Sequence, residues 1–128
     1  MARILVVEDS LMSRTNLIEI LASQKHEIAG EACNGEEAFN LYEELKPDLV
    51  TMDITMPVMN GIEALKKIME KYSEAKVIMI TALGQAGKVL ECLNAGARHY
   101  ITKPYEAKNI LFVIEEVLRD DEIINSHF

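Results

Sequence analysis

The stretch LVTMDITMPVMNG, residues 49–61, is an apolar run that stops at an aspartate and then enters a loop. The apolar residues 49–52 are typical of a short buried strand. Pro57 and the Asn-Gly pair at 60–61 are typical of a loop that leads into a helix. Asp53 is therefore predicted at the carboxyl end of a buried strand. A charge in that position is costly unless another group pairs with it, so distant parts of the chain must supply its partners.

Size and composition limit the classes of protein that the chain can belong to. Its 128 residues suit one compact domain with a single core. A content of 49% hydrophobic and 27% charged residues is typical of a folded globular chain rather than a disordered one. The formal net charge of -8 argues against nonspecific binding to nucleic acid or to an anionic membrane. The same charge is compatible with a cation site or a basic partner.

The amino-terminal segment and the cysteines indicate the compartment. The segment MARILVVEDS has a short apolar run before Glu8, too short for a signal peptide or a membrane span, and no later segment is long enough either. Cys33 and Cys92 lack the spacing of a thiolate metal site, and free thiols suit a reducing compartment. The sequence therefore predicts a cytoplasmic protein with no membrane partner and no nucleic-acid partner.

Short apolar runs alternate with stretches of helical periodicity along the whole chain. The runs are residues 3–7, 27–33, 48–52, 76–81 and 99–102, and the helical stretches are residues 13–24, 35–46, 61–72, 85–96 and 108–120. Strict alternation predicts an α/β fold with a doubly wound, five-stranded parallel sheet. The first, third and fourth runs are the most continuously apolar, which favours the strand order 2-1-3-4-5 with right-handed crossovers. We expect a domain at residues 1–120 and a loosely docked C-terminal tail at residues 121–128.

Polar residues of related chemistry stand at the predicted strand ends. Glu8 and Asp9 follow the first strand, Asp53 follows the third, Thr81 ends the fourth, and Lys103 follows the fifth. In the predicted strand order these ends converge on one crevice. Crowded carboxylates repel one another, and a lysine or a Mg²⁺ ion relieves that repulsion. A nucleophilic aspartate beside a hydroxyl and a lysine that can hold phosphoryl oxygens indicates phosphoryl transfer.

These residues also carry a family resemblance. The segments VVEDS, VTMDITMPVMNGIEAL, IMITA and NAGARHYITKPY, together with their spacing, resemble a bacterial two-component response-regulator receiver domain from Arg3 to Arg119. The resemblance implies a flavodoxin-like (βα)5 fold, in which Asp53 accepts a phosphoryl group from a sensor histidine kinase. It implies a signalling switch that catalyses its own phosphorylation and autodephosphorylation. The chain departs from the family pattern in having Glu-Asp for the commoner Asp-Asp and Met-Asn-Gly for Met-Asp-Gly, and neither change alters the implied chemistry.

The resemblance assigns a metal site. Asp9 and Asp53 are implied to bind Mg²⁺ directly, with the backbone carbonyl of Thr55 as a third protein ligand. Glu8 is implied to act mainly through a metal-bound water.

The resemblance also assigns a phosphoryl contact and a switch. Lys103 is implied to contact the phosphoryl group, and the Lys103–Pro104 peptide bond is expected to be cis. Thr81 and Tyr100 are implied to form the switch, in which the Thr81 hydroxyl moves toward the phosphoryl group and Tyr100 then rotates inward.

The chain offers no second domain for output, so we expect it to act as a monomer through protein contacts. It most resembles stand-alone chemotaxis regulators (CheY-like), which bind the flagellar motor switch when phosphorylated. Two alternatives stay open, namely a single-domain phosphorelay intermediate and a regulator that controls a cyclase, a kinase or another output protein in trans.

Two rival classes do not fit the residues. A phosphohydrolase with an aspartate nucleophile, such as a haloacid-dehalogenase-like enzyme, carries a second acid two residues after the first, where this chain has Thr55. A flavin-binding electron carrier has a phosphate loop rich in Ser and Thr after the first strand, where this chain has the acidic segment EDSLMSRT.

Overall fold

The computed structural model describes residues 1–82 and 84–126. Within these residues strands and helices alternate as the sequence predicts. The elements are β1 (Arg3–Val7), α1 (Leu11–Ser23), β2 (Glu27–Ala32), α2 (Gly35–Leu45), β3 (Leu49–Asp53), α3 (Gly61–Lys71), β4 (Val77–Thr81), α4 (Ala86–Asn94), β5 (His99–Thr102) and α5 (Ala107–Ser126).

All strand pairs of the sheet are parallel, and their order is β2-β1-β3-β4-β5. The predicted fold class and strand order are therefore confirmed. Every residue of β3 and β4 is buried, whereas the edge strands β2 and β5 are partly exposed. Strands covered by helices on both faces need apolar side chains on both faces, which explains the continuous apolar runs in the centre of the sheet.

The alternation of side chains along the central strands builds an apolar layer on each face of the sheet. One layer includes Leu5, Val50, Met52, Val77 and Met79 from the strands, with Tyr42, Leu65, Ile68 and Cys92 from α2, α3 and α4. The other includes Ile4, Val6, Leu49, Ile78 and Ile80, with Leu17, Leu21, Ile110, Ile114 and Val117 from α1 and α5. Each fully buried aliphatic side chain contributes about 1.5–3 kcal/mol, so these two layers hold the strand ends in fixed relative positions.

Short polar side chains begin three of the helices beyond the carboxyl ends of the strands. The side-chain oxygens of Asn34 and Asn60 accept hydrogen bonds from the backbone N–H groups of Glu37 and Glu63, both at 2.9 Å, and Ser10 caps α1 in the same way. Each cap stabilises its helix by about 1 kcal/mol. Asn60 therefore caps α3 as the aspartate of the commoner Met-Asp-Gly sequence would, because asparagine and aspartate are similarly good N-caps.

The backbone of α5 is helical across the predicted boundary between residues 120 and 121 and ends at Ser126. The separate tail at residues 121–128 stays a prediction, and its last two residues, 127 and 128, lie outside the described part of the chain. Among the described residues, no helix combines the length and the apolar composition that crossing a membrane requires.

Candidate functional site

Three carboxylates meet where β1 and β3 end. Glu8, Asp9 and Asp53 each offer an oxygen within 4.8 Å of the others. β1 and β3 are paired neighbours with Val7 opposite Met52, so the residues that follow the two strands are brought side by side. Glu8 and Asp53 are only 3% and 7% exposed, and negative charges this poorly solvated need a positive partner.

Lys103 supplies that positive partner. Its Nζ donates hydrogen bonds to Glu8 Oε1 at 2.6 Å and to Asp53 Oδ2 at 3.0 Å. Burial alone would lower the pKa of the Lys103 ammonium, but the hydrogen bonds and charges of Glu8 and Asp53 outweigh burial and raise its pKa above the usual value. The ammonium therefore stays charged, with its donors directed at the carboxylates. The adjoining Lys103–Pro104 peptide bond is cis.

The pKa of Asp9 is raised above its usual value in this crowded cluster. Loss of surrounding water raises its pKa most, and the hydrogen bond and negative charge of Glu8 raise it further, while the charge of Lys103 offsets only part of the shift. Asp9 is exposed as a whole residue, and its carboxylate lies beside those of Glu8 and Asp53. Three acids against one ammonium leave an excess of negative charge. Carboxylate oxygens with excess negative charge are suitable ligands for Mg²⁺. Because Asp9 is accessible to water, an ion bound there would keep part of its water shell.

The backbone after β3 is held close to the start of α3. The N–H of Gly61 donates to the carbonyl of Ile54 at 2.7 Å, and a Cβ built on Gly61 would lie 2.0 Å from the backbone oxygen of Asp53. Only glycine tolerates that approach. The Asn-Gly pair of the opening sequence therefore allows α3 to begin directly against the backbone of Asp53.

Thr81 and Tyr100 lie beside the acidic cluster rather than within it. The buried Thr81 hydroxyl faces β5, with Thr102 Oγ1 at 3.2 Å and the carbonyl oxygen of Ile101 at 3.4 Å. Tyr100 is 39% exposed. A cavity of about 310 Å³ lies between β4, α4 and β5, and both Thr81 and Tyr100 line it, together with Gly84.

The sequence places Gln85 at the start of a helix but does not predict its contacts. The side chain of Gln85 contacts both the backbone of Ala82 and the hydroxyl of Thr55. Helical periodicity reports which side chains are buried, and a polar contact between two exposed loops leaves no periodic signal.

The fold and this acidic cluster agree with comparisons to known proteins. The family model described as "Response regulator receiver domain" matches residues 4–115. The chain therefore belongs to the response regulator receiver domain family, whose members use Mg²⁺ at an acidic pocket.

Several individual relatives are chemotaxis regulators. The chain is 46% identical to the chemotaxis protein CheY of Thermotoga maritima over 115 residues, which cover 90% of this chain and 96% of that protein. It is 48% identical to the protein CcdB of Bacillus subtilis over 118 residues, which cover 92% and 98%. Its fold matches CheY in a complex of CheX, CheY, BeF3 and Mg²⁺ from Borrelia burgdorferi with a TM-score of 0.87 and 40% identity, over 91% of this chain and 88% of that one. The chain is thus a receiver domain closely similar to CheY chemotaxis regulators.

Proposed function

We propose that this chain is a single-domain response regulator that accepts a phosphoryl group on Asp53 and signals by binding a protein target. The observation that carries the proposal is the ammonium of Lys103, which contacts Asp53 and Glu8 together while Asp9 lies beside them. A nucleophilic carboxylate held next to a fixed cation is the arrangement that phosphoryl transfer requires.

The chemistry needs few groups from the protein. An oxygen of the Asp53 carboxylate attacks the phosphorus of the donor, a phosphohistidine of a sensor histidine kinase or a small acyl phosphate, and the donor's P–N or P–O bond breaks as its electron pair leaves with the donor. Lys103 balances the charge on the phosphoryl oxygens throughout. Water later attacks the same phosphorus, which releases inorganic phosphate and restores the carboxylate of Asp53.

Asp9, Asp53 and the backbone carbonyl of Thr55 are the proposed protein ligands of Mg²⁺, and Glu8 would hold a metal-bound water. The ion, when bound, would add positive charge beside the phosphoryl group and so would stabilise the charge on its oxygens. This proposal is supported by the donor chemistry of the cluster, since its carboxylates outnumber the ammonium that neutralises them.

Removal of Asp9 should weaken Mg²⁺ binding more than removal of Glu8. Asp9→Ala deletes a direct ligand, whereas Glu8→Ala deletes a group that acts through water, and titration calorimetry measures both. Because the pKa of Asp9 is raised, protons should compete with Mg²⁺ as the pH falls through that pKa, so affinity should decrease toward acid pH. Equal affinity in the parent and both variants would contradict the ligand assignment.

We propose that Thr81 and Tyr100 carry the signal away from Asp53. The Thr81 hydroxyl would leave its present partners on β5 and turn to a phosphoryl oxygen, and the half-exposed ring of Tyr100 would move into the cavity that both residues line. This movement reshapes the surface of α4, β5 and α5, where the target is proposed to bind. Phosphorylation and target binding then favour the same one of two arrangements. Phosphorylation therefore raises the affinity for the target, and the bound target favours phosphorylation.

Thr81→Ala should separate phosphorylation from target binding. The variant keeps Asp53, Lys103 and the proposed metal ligands, so it should still be labelled by acetyl phosphate, but labelling should no longer raise its affinity for the target. A suitable control is Thr51→Val, because the Thr51 hydroxyl is buried without a hydrogen-bond partner among the described residues. Full phosphorylation-dependent binding by Thr81→Ala would contradict the coupling.

The proposed biological role is that of a monomeric, cytoplasmic chemotaxis regulator of the flagellar motor switch, supported by the close similarity to CheY proteins. The alternatives are a phosphorelay intermediate and an in-trans regulator of another output protein. Phosphorylated and unphosphorylated chain should be tested against a purified motor-switch protein, a CheX-like protein and a histidine phosphotransfer protein. Tighter binding of the phosphorylated form to the motor switch supports the role, whereas phosphoryl transfer onward to a histidine would replace it with the phosphorelay function.

A further inference from the structure

The side chain of Gln85 ties the loop after β4 to the loop after β3. Its Oε1 accepts a hydrogen bond from the backbone N–H of Ala82 at 2.7 Å, and its Nε2 donates to the hydroxyl oxygen of Thr55 at 2.6 Å. The orientation of the amide follows from chemistry, because a backbone N–H can only donate and must therefore face the amide oxygen. Both polar ends of this one side chain are used to join the two loops.

Both partners of Gln85 adjoin the proposed site. Thr55 lies two residues after Asp53, and Ala82 directly follows Thr81. β3 and β4 are paired neighbours with Asp53 opposite Ile80, so their loops leave the sheet side by side. The hydrogen bonds of Gln85 therefore form a bridge between the two loops at the carboxyl ends of β3 and β4, where Asp53 lies.

We propose that Gln85 is a positioning residue that holds the loop after β4 in its resting arrangement and thereby slows phosphorylation of Asp53. This inference rests on the proposed function. Ala82 directly follows Thr81, so the hydrogen bond from Ala82 to Gln85 restrains the backbone beside the hydroxyl that is proposed to turn toward the phosphoryl group. Gly84, which precedes Gln85, has a φ of 93° and no atom within 4 Å of where a Cβ would be, so packing does not restrain the backbone at Gly84 itself.

A contact made only in the resting arrangement favours that arrangement, and its loss shifts the protein toward the arrangement that phosphorylation favours. Gln85→Leu keeps much of the side-chain volume and removes both hydrogen bonds. Because exposed neutral hydrogen bonds each contribute little, we expect the maximal rate of phosphorylation by acetyl phosphate to rise about threefold to tenfold. The Mg²⁺ affinity and the acetyl phosphate concentration at half-maximal rate should stay as in the parent, since Gln85 supplies none of the proposed ligands.

A double-mutant cycle tests the bridge itself. Thr55→Val removes one of the two hydrogen bonds while it keeps the backbone carbonyl, so it should raise the rate less than Gln85→Leu does. The double variant should react no faster than Gln85→Leu alone, because the second change removes a contact that is already lost. Asn94→Leu makes the same change from an amide to an apolar group at the far end of α4 and should leave the rate unchanged.

Each outcome decides one assignment. Independent, multiplying effects of the Gln85 and Thr55 changes, or an equal rise in Asn94→Leu, would overturn the role of the bridge. Labelling that depends on Asp53 but runs at the parent rate in Gln85→Leu overturns the assignment of Gln85 and leaves the proposed function intact. Labelling that persists in Asp53→Asn overturns the proposed function instead. Urea denaturation of each variant shows whether a change in rate reflects a change in stability.

Discussion

Asp53→Asn is expected to abolish phosphoryl acceptance. Asparagine has nearly the same shape as aspartate, but its neutral amide replaces the anionic oxygen that attacks phosphorus and removes one proposed Mg²⁺ ligand. Lys103 would keep Glu8 as its partner, so the rest of the cluster should survive the change. After incubation with Mg²⁺ and acetyl phosphate, intact mass spectrometry should show one added phosphoryl group on the parent and none on the variant.

The same strand provides a matched control for this experiment. Asp48 precedes β3 at the opposite end, where its carboxylate accepts a hydrogen bond from the backbone N–H of Arg3 at 2.8 Å. Asp48→Asn makes the identical chemical change away from the acidic cluster and should be labelled like the parent. Labelling of Asp53→Asn at the parent rate would show that the phosphoacceptor is another residue.

Gly61→Ala is expected to have the largest effect on stability. The added methyl group would lie 2.0 Å from the backbone oxygen of Asp53 and 2.9 Å from its carbonyl carbon. Backbone atoms cannot turn aside as a flexible side chain can, so α3 or the end of β3 must shift. Overpacking of this kind costs about 1–3 kcal/mol or more, and the shift moves the phosphoacceptor, so phosphorylation should slow as well.

Gly87→Ala is the control for Gly61→Ala. Gly87 lies within α4, and a Cβ there would meet no atom within 4 Å. Since alanine favours helix over glycine, the free energy of unfolding should rise by up to about 1 kcal/mol. Urea denaturation should therefore move the two variants in opposite directions. Equal stability of Gly61→Ala and the parent would mean that α3 does not need its close approach to Asp53.

Most of the fold could be predicted because its determinants are periodic. Apolar runs give the strands, three- and four-residue spacing gives the helices, and parallel crossovers restrict the strand order. The boundaries were less accurate. α1 begins at Leu11 rather than at residue 13, because the Ser10 side chain caps it, and α5 continues to Ser126 rather than ending near residue 120.

The candidate site could be predicted as a set of strand ends but not as a set of contacts. Strand order places Lys103 two strands away from Asp53, with β4 in between. Only the long lysine side chain brings its Nζ to 3.0 Å from Asp53 and 2.6 Å from Glu8, and no sequence pattern specifies that direction. The contacts of Gln85 were likewise beyond prediction, because they depend on the paths of two loops.

The distance along the chain between Glu8 and Lys103 has a consequence during translation. The ribosome delivers the carboxylates first, and a nascent chain that stops before residue 103 holds three acids without the ammonium that pairs with two of them. A chain that stops before residue 99 lacks β5 as well, so the strand that precedes Lys103 is not yet present. On the proposed function, a chain that stops before residue 103 should therefore fail to accept a phosphoryl group on Asp53, because it lacks the ammonium that contacts that carboxylate.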